Sequence, residues 1–120
     1  MGNRESGIEK EGGESVKLDI YGVKWELRFV PKDHSVLANR TGFCTGVCLH
    51  RTQEIFIADG QTEEAERNTI CHEIAHAVLE QMTLEKENYD GEDMAKFVGT
   101  YAHDILELTS KIIKEKGAKM

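Results

Sequence analysis

Residues Thr69-Ile70-Cys71-His72-Glu73-Ile74-Ala75-His76-Ala77-Val78 decide how this 120-residue chain is read, because they spell H-E-x-x-H inside a run with helical periodicity. Residues four apart on an α-helix stand one turn above each other on nearly the same face, so His72 and His76 can offer two imidazole nitrogens to one ion. Zinc is the ion that spacing suits. Glu73, one residue past the first histidine, can reach a water at the metal without taking a coordination position. Ile70, Ile74, Ala77, Val78 and Met82 recur at helical spacing, which predicts a helix buried on one side with two histidines elsewhere on its surface.

Upstream of the motif, Asp59-Gly60-Gln61-Thr62 breaks the preceding segment and offers Thr62 as N-cap. Glu63, Glu64 and Glu66 are placed to complement the helix dipole, so the helix is expected from about Glu63 to Met82. Before it, Phe43, Thr45, Val47 and Leu49 alternate with Cys44, Gly46, Cys48 and His50. A polar turn at Arg51-Thr52-Gln53 then leads into Glu54-Ile55-Phe56-Ile57-Ala58, which predicts a hairpin over Thr41 to Asp59. Cys44, Cys48 and His50 could be read as a second metal cluster. Extended residues four apart lie about 13 Å from each other, too far for one ion unless the chain bends at Gly46. Cys71 points about 100° around the helix from His72 and reads as a small core residue.

Further upstream, Val16, Leu18, Ile20, Val23, Trp25, Leu27 and Phe29 alternate with polar partners. Period two predicts strand, with Tyr21-Gly22 as a bend or bulge between two segments. Pro31 and Asp33 end it, and His34 is expected as a solvated turn residue. Residues Met1 to Ser15 hold four glycines and almost no apolar side chains. They are expected to be a tail that cannot order itself, leaving 16–120 as a single domain.

Downstream, Asp90 is expected to cap a second helix. Its apolar stripe of Met94, Phe97, Val98, Tyr101, Ile105, Leu108 and Ile112 continues to about Lys116. The resulting expectation is an α+β fold, a small antiparallel three-stranded sheet packed on two long helices.

Two histidines hold zinc weakly, and a hydrolytic site usually has three protein ligands. A carboxylate near the start of the second helix is the natural third. Asp93 lies nearer the apolar stripe and so faces the partner helix, whereas Glu92 has the longer reach; both are candidates. Asp104 and His103 are further possibilities on the same helix, each more simply read as solvated.

A net charge of −7 and a pI near 5.2 argue against nucleic acid or an anionic membrane as the main partner. Three cysteines, with neither a cleavable apolar segment nor a membrane-length apolar run, fit a reducing cytoplasm.

The motif together with Ile55-Phe56-Ile57, Gln61-Thr62-Glu63-Glu64-Ala65-Glu66 and Phe97-Val98 resembles the zincin metallopeptidases, and within them the small ImmA/IrrE-like group of bacteria and their phages. The resemblance spans roughly residues 43 to 108, with His72-Glu73-Ile74-Ala75-His76 its specific part. It implies a minimal zincin core, one zinc ion and a third ligand from the Glu92-Asp93 neighbourhood. It also implies hydrolysis of a peptide bond in a protein partner, with zinc acidifying a water and Glu73 accepting its proton. Ile55 to Ala58 is expected as an edge strand for an extended peptide. The competing function is a non-catalytic zinc-binding regulatory module that keeps the fold; a hydrolase of another amide or ester is a third.

Overall fold

The computed structural model describes residues 15–119, so the tail expected over 1–15 lies outside the described residues except for Ser15. The order of elements is β1 (Ser15–Ile20), β2 (Val23–Val30), a 3₁₀ turn (Ser35–Leu37), β3 (Ala38–Asn39), β4 (Gly42–Phe43), β5 (Gly46–Leu49), β6 (Glu54–Ala58), α1 (Glu63–Gln81) and α2 (Gly91–Lys119). The class is α+β with two long helices, as expected.

The sheet differs from the expectation. It has four strands in the order β1-β2-β6-β5, and β3 and β4 form a separate small ribbon. Tyr21 and Gly22 make neither a bulge nor a bend. Both have positive φ, 48° and 90°, the geometry of a two-residue turn that reverses the chain, so β1 folds back antiparallel on β2. Alternation continues unbroken through a hairpin as it does through a bulge, and periodicity alone does not separate the two. The second difference is that β2 runs parallel to β6, from Glu26 opposite Glu54 to Val30 opposite Ala58. That pairing needs a long crossover, which the chain between residues 30 and 54 supplies.

Parallel pairing puts β6 inside the sheet, where both of its faces are covered. Ile55 and Ile57 point to the helices and join Leu27, Phe29, Ile70, Ile74, Ala77, Ile105 and Ile112 in the main core. Phe56 and Ala58 point the other way and pack with Val30 and Leu37. Each such side chain contributes about 1.5–3 kcal/mol by leaving water. His34, expected as a solvated turn residue, is instead buried beneath this second cluster's chain crossing; its Nδ1 accepts the Val36 amide at 3.0 Å and caps the 3₁₀ turn.

Two polar fastenings fix α1 on the sheet. At its C-terminal end Gln81 accepts from the Trp25 indole at 2.8 Å and donates to the Ile20 carbonyl at 2.6 Å. At its N-terminal end Lys116 of α2 reaches Glu66 at 2.7 Å and Asp59 at 3.5 Å, with its ammonium 4.2 Å from the centre of the Phe29 ring. Among the described residues no helix is long and apolar enough to cross a membrane.

Candidate metal centre

The motif lies in the second half of α1. Thr62 caps that helix, its hydroxyl accepting the Ala65 amide at 3.2 Å, and the three early glutamates sit in its first turn. Ile70, Ile74, Ala77 and Val78 are buried. On a wheel of about 100° per residue, His72 falls nearly opposite that apolar stripe and His76 follows it, while Glu73 falls at the stripe's edge. The burial agrees: both histidines are exposed, and Glu73 is 6 % exposed. The imidazole centroids are 4.8 Å apart, with the rings inclined at 69°.

The wall over Glu73 is β5. Gly46 approaches so closely that a Cβ there would come within 2.7 Å of Thr69 Cγ2, 2.9 Å of Glu73 Cγ and 3.1 Å of Glu73 Oε2. Gly46, Val47, Cys48, His72, Glu73, His76 and Glu80 line one open cavity of about 330 Å³. Among the described residues β5 pairs antiparallel with β6 alone, so no described strand occupies its other edge. The Ala58 amide donates to the Thr45 carbonyl at 2.9 Å, which sets residues 45, 47 and 49 toward β6 and turns the backbone polar groups of Gly46 and Cys48 outward. The edge beside the motif is therefore β5. Ile55–Ala58, expected in that role, is interior because β2 takes up its second side.

Burial raises the Glu73 carboxyl above its ordinary value, and nearby His72 and His76 oppose that rise. Burial, reinforced by the carboxylates of Glu73, Glu80 and Glu85, pushes the Cys48 thiol up to about 12. Cys44 lies apart, donating its S–H to the Leu37 carbonyl at 3.1 Å. The two cysteines thus form no common metal site, and Cys71 is half-buried against the main core as a small apolar residue.

The structure does not bring Glu92 or Asp93 together with the histidines. Glu92 is exposed at the start of α2. Asp93 exchanges hydrogen bonds with Asp90 across the helix start, accepting the Asp90 amide at 3.1 Å while its own amide donates to Asp90 at 2.8 Å. Its carboxylate also meets Lys86 Nζ at 2.9 Å, and Lys86 holds it below the usual carboxylate range. It faces a second cavity of about 360 Å³, walled by Leu79, Leu84, Tyr89, Phe97 and Tyr101. Asp93 lies on the side of α2 that faces the end of α1, as expected, but its carboxylate is engaged in the capping exchange.

Two other carboxylates stand beside the histidines. Glu80, one turn past His76, lines the same cavity and meets His50 Nδ1 at 3.7 Å. Glu85, in the connection between the helices, lies with Oε2 3.8 Å from His76 Nδ1. Glu80 was legible as the next step of the His72-His76 stripe; no periodic signal marks Glu85. His103 and Asp104 gather with Glu107, their ligand atoms within 4.8 Å of one another, on the exposed middle of α2. There Asp104 accepts the Tyr21 hydroxyl. This trio borders a larger cavity of about 790 Å³ that contains none of the motif residues.

The donors around the β5 cavity suit zinc. Two imidazoles from one helix face, with the carboxylates of Glu73 and Glu80 and the sulfur of Cys48 lining the same cavity, form a borderline set of the kind this ion accepts. Comparison of the chain with protein-family models, with curated proteins and with solved structures gives no match.

Proposed function

We propose that the chain is a zinc-dependent peptidase similar to the zincins of the ImmA/IrrE-like group, and that it cuts an extended segment of a protein partner. The observation that carries this reading is the meeting of His72, Glu73 and His76 with an open cavity under a free sheet edge. Zinc, when bound by His72 and His76, supplies a Lewis acid that polarises a carbonyl and acidifies water. Glu73 serves as general base and then as proton donor to the departing amine. Its burial raises its proton affinity, and a stronger base accepts the water's proton more readily. The outward amides and carbonyls of Gly46 and Cys48 align the substrate backbone by adding it to the sheet as a further strand.

Glu73→Gln should retain zinc and lose cleavage of extended peptides, whereas His72→Ala should lose zinc. Turnover by Glu73→Gln at the wild-type rate would remove Glu73 from the reaction. The second reading, a zinc-binding regulatory module, is favoured by the engagement of Asp93 with Lys86 and Asp90, which leaves the third ligand unassembled. Stoichiometric zinc with no hydrolysis of any extended peptide would select it. The three free cysteines suit a reducing compartment, and the acidic charge makes nucleic acid and membrane surfaces poor partners.

A further inference from the structure

The connection between the helices carries one residue that no reading above uses. Glu85 Oε2 lies 3.8 Å from His76 Nδ1, and both side chains are a little under half exposed. The contact is not an accident of a loose loop, because the residues on either side of Glu85 are fixed. Leu84 donates its amide to the Leu79 carbonyl at 2.8 Å, continuing the end of α1 through Thr83 at φ 57°. The Lys86 amide donates to the Tyr89 hydroxyl at 3.1 Å, and that hydroxyl donates to the Leu84 carbonyl at 3.1 Å, so Tyr89 bridges the two neighbours of Glu85. Lys86 is then tied to the start of α2 by Asp93 at 2.9 Å.

Resting on the zinc reading above, we infer that Glu85 is a positioning residue for His76, and that Asp93 acts on the site through Lys86 as part of the frame that holds Glu85 in place. The chemistry follows from the two ring nitrogens. A neutral imidazole that donates its Nδ1 proton to a carboxylate has its lone pair on Nε2, with the ring orientation fixed and the ligand made more basic. Glu85 faces Nδ1, which leaves Nε2 as the metal-facing nitrogen. At 3.8 Å the contact is longer than a hydrogen bond, as such contacts often are before a site is occupied, and it would tighten when the ring is held. Asp93, placed at the metal by sequence reasoning, thereby supports a ligand instead of being one.

The test is zinc affinity by chelator competition on the full chain, paired with nitrogen NMR of the His76 ring, with circular dichroism to confirm that each variant is folded. Glu85→Ala should weaken zinc about 10- to 100-fold, the usual effect of removing such a partner. Glu85→Gln, which still accepts a proton from Nδ1, should recover part of that loss. In the wild type the His76 ring should carry its proton on Nδ1, and Glu85→Ala should populate the other tautomer. Asp93→Asn should cost only a few-fold. Wild-type affinity and an unchanged tautomer in Glu85→Ala overturn the inference, as does loss of zinc in Asp93→Asn as complete as in His72→Ala, which would make Asp93 a ligand. Zinc retained by His72→Ala would instead overturn the metal reading itself.

Discussion

Replacing Gly46 with alanine probes the contact on which the proposed site depends. Gly46 sits in ordinary strand geometry, and alanine is the better strand residue by about 0.5–1 kcal/mol, so without a steric conflict the change should stabilise. The conflict comes from three atoms at 2.7, 2.9 and 3.1 Å from the new methyl, one on Thr69 and two on Glu73. Non-bonded carbon atoms prefer about 3.5–4.0 Å, so the overlap approaches 1 Å. Thr69 cannot yield easily. It is β-branched, and its hydroxyl lies 2.9 Å from both the Ala65 carbonyl and Gln61 Oε1, so its one proton has an acceptor on either side. Glu73 must move. Overpacking of this kind costs about 1–3 kcal/mol, and subtracting the strand preference leaves a net change between about zero and a loss of about 2.5 kcal/mol. Displacing a general base by the order of 1 Å should also lower peptide cleavage about 100-fold. Zinc affinity should stay near the wild-type value, because the atoms nearest the new methyl belong to Thr69 and Glu73 and not to either histidine. Urea unfolding, cleavage of an extended peptide and chelator competition read the three quantities. A Gly46→Ala protein more stable than the wild type by about 0.5–1 kcal/mol, the strand preference unopposed, would refute the close approach of β5 to α1.

Three further outcomes follow from other contacts. Glu73→Gln should stabilise the metal-free protein at pH 7–8 relative to pH 4; the folded carboxyl is raised above its usual range, so stability present below that range is lost as pH climbs through the folded value, and urea unfolding of the variant should lack this fall. Lys116→Met should cost about 1–2 kcal/mol, more than an exposed pair, since it strips Glu66 and Asp59 of their shared cation and removes the ammonium from the Phe29 ring; a melting temperature unchanged from wild type would contradict this. Tyr21, raised to about 12 chiefly by its hydrogen bond to Asp104, should ionise late in an ultraviolet titration and earlier in Asp104→Asn, and the stability it adds should be lost between about pH 10 and 12.

Helix α1 was readable from the sequence because its apolar stripe, its cap and the histidine spacing all follow from one period. The match is close: Thr62 caps, and the helix ends at Gln81, one residue before the expected Met82. The strands were readable as segments, and so was the antiparallel hairpin of β5 with β6, but the pairing of the other strands was not. Alternation specifies which side chains face the core and says nothing of direction, so the parallel match of β2 with β6 had no local signature. The continuous run Ile55-Phe56-Ile57-Ala58 did hold a clue, since a strand apolar on both faces belongs inside a sheet. At the site, His72, Glu73 and His76 share a neighbourhood because helix geometry alone puts them there. The carboxylate beside His76 comes from a nine-residue connection whose course depends on Tyr89 and Lys86, and no periodic rule reaches it. Asp93 illustrates the opposite case, a residue placed correctly on its helix whose oxygens a cap and a lysine had already taken.

The free edge of β5 is short, and its length limits what the molecule can select. Among the described residues of β5 only Gly46 and Cys48 turn their backbone outward, so an incoming segment would gain at most about four main-chain hydrogen bonds, each worth about 0.5–1.5 kcal/mol net. Such a foothold cannot unfold a structured protein, whose stability of about 5–15 kcal/mol exceeds it. Because backbone groups are the same in every residue, it also cannot distinguish one sequence from another. Under the proposed function, what it would distinguish is conformation: chain already extended and unpaired would be admitted, and chain committed to a helix or a sheet turned away.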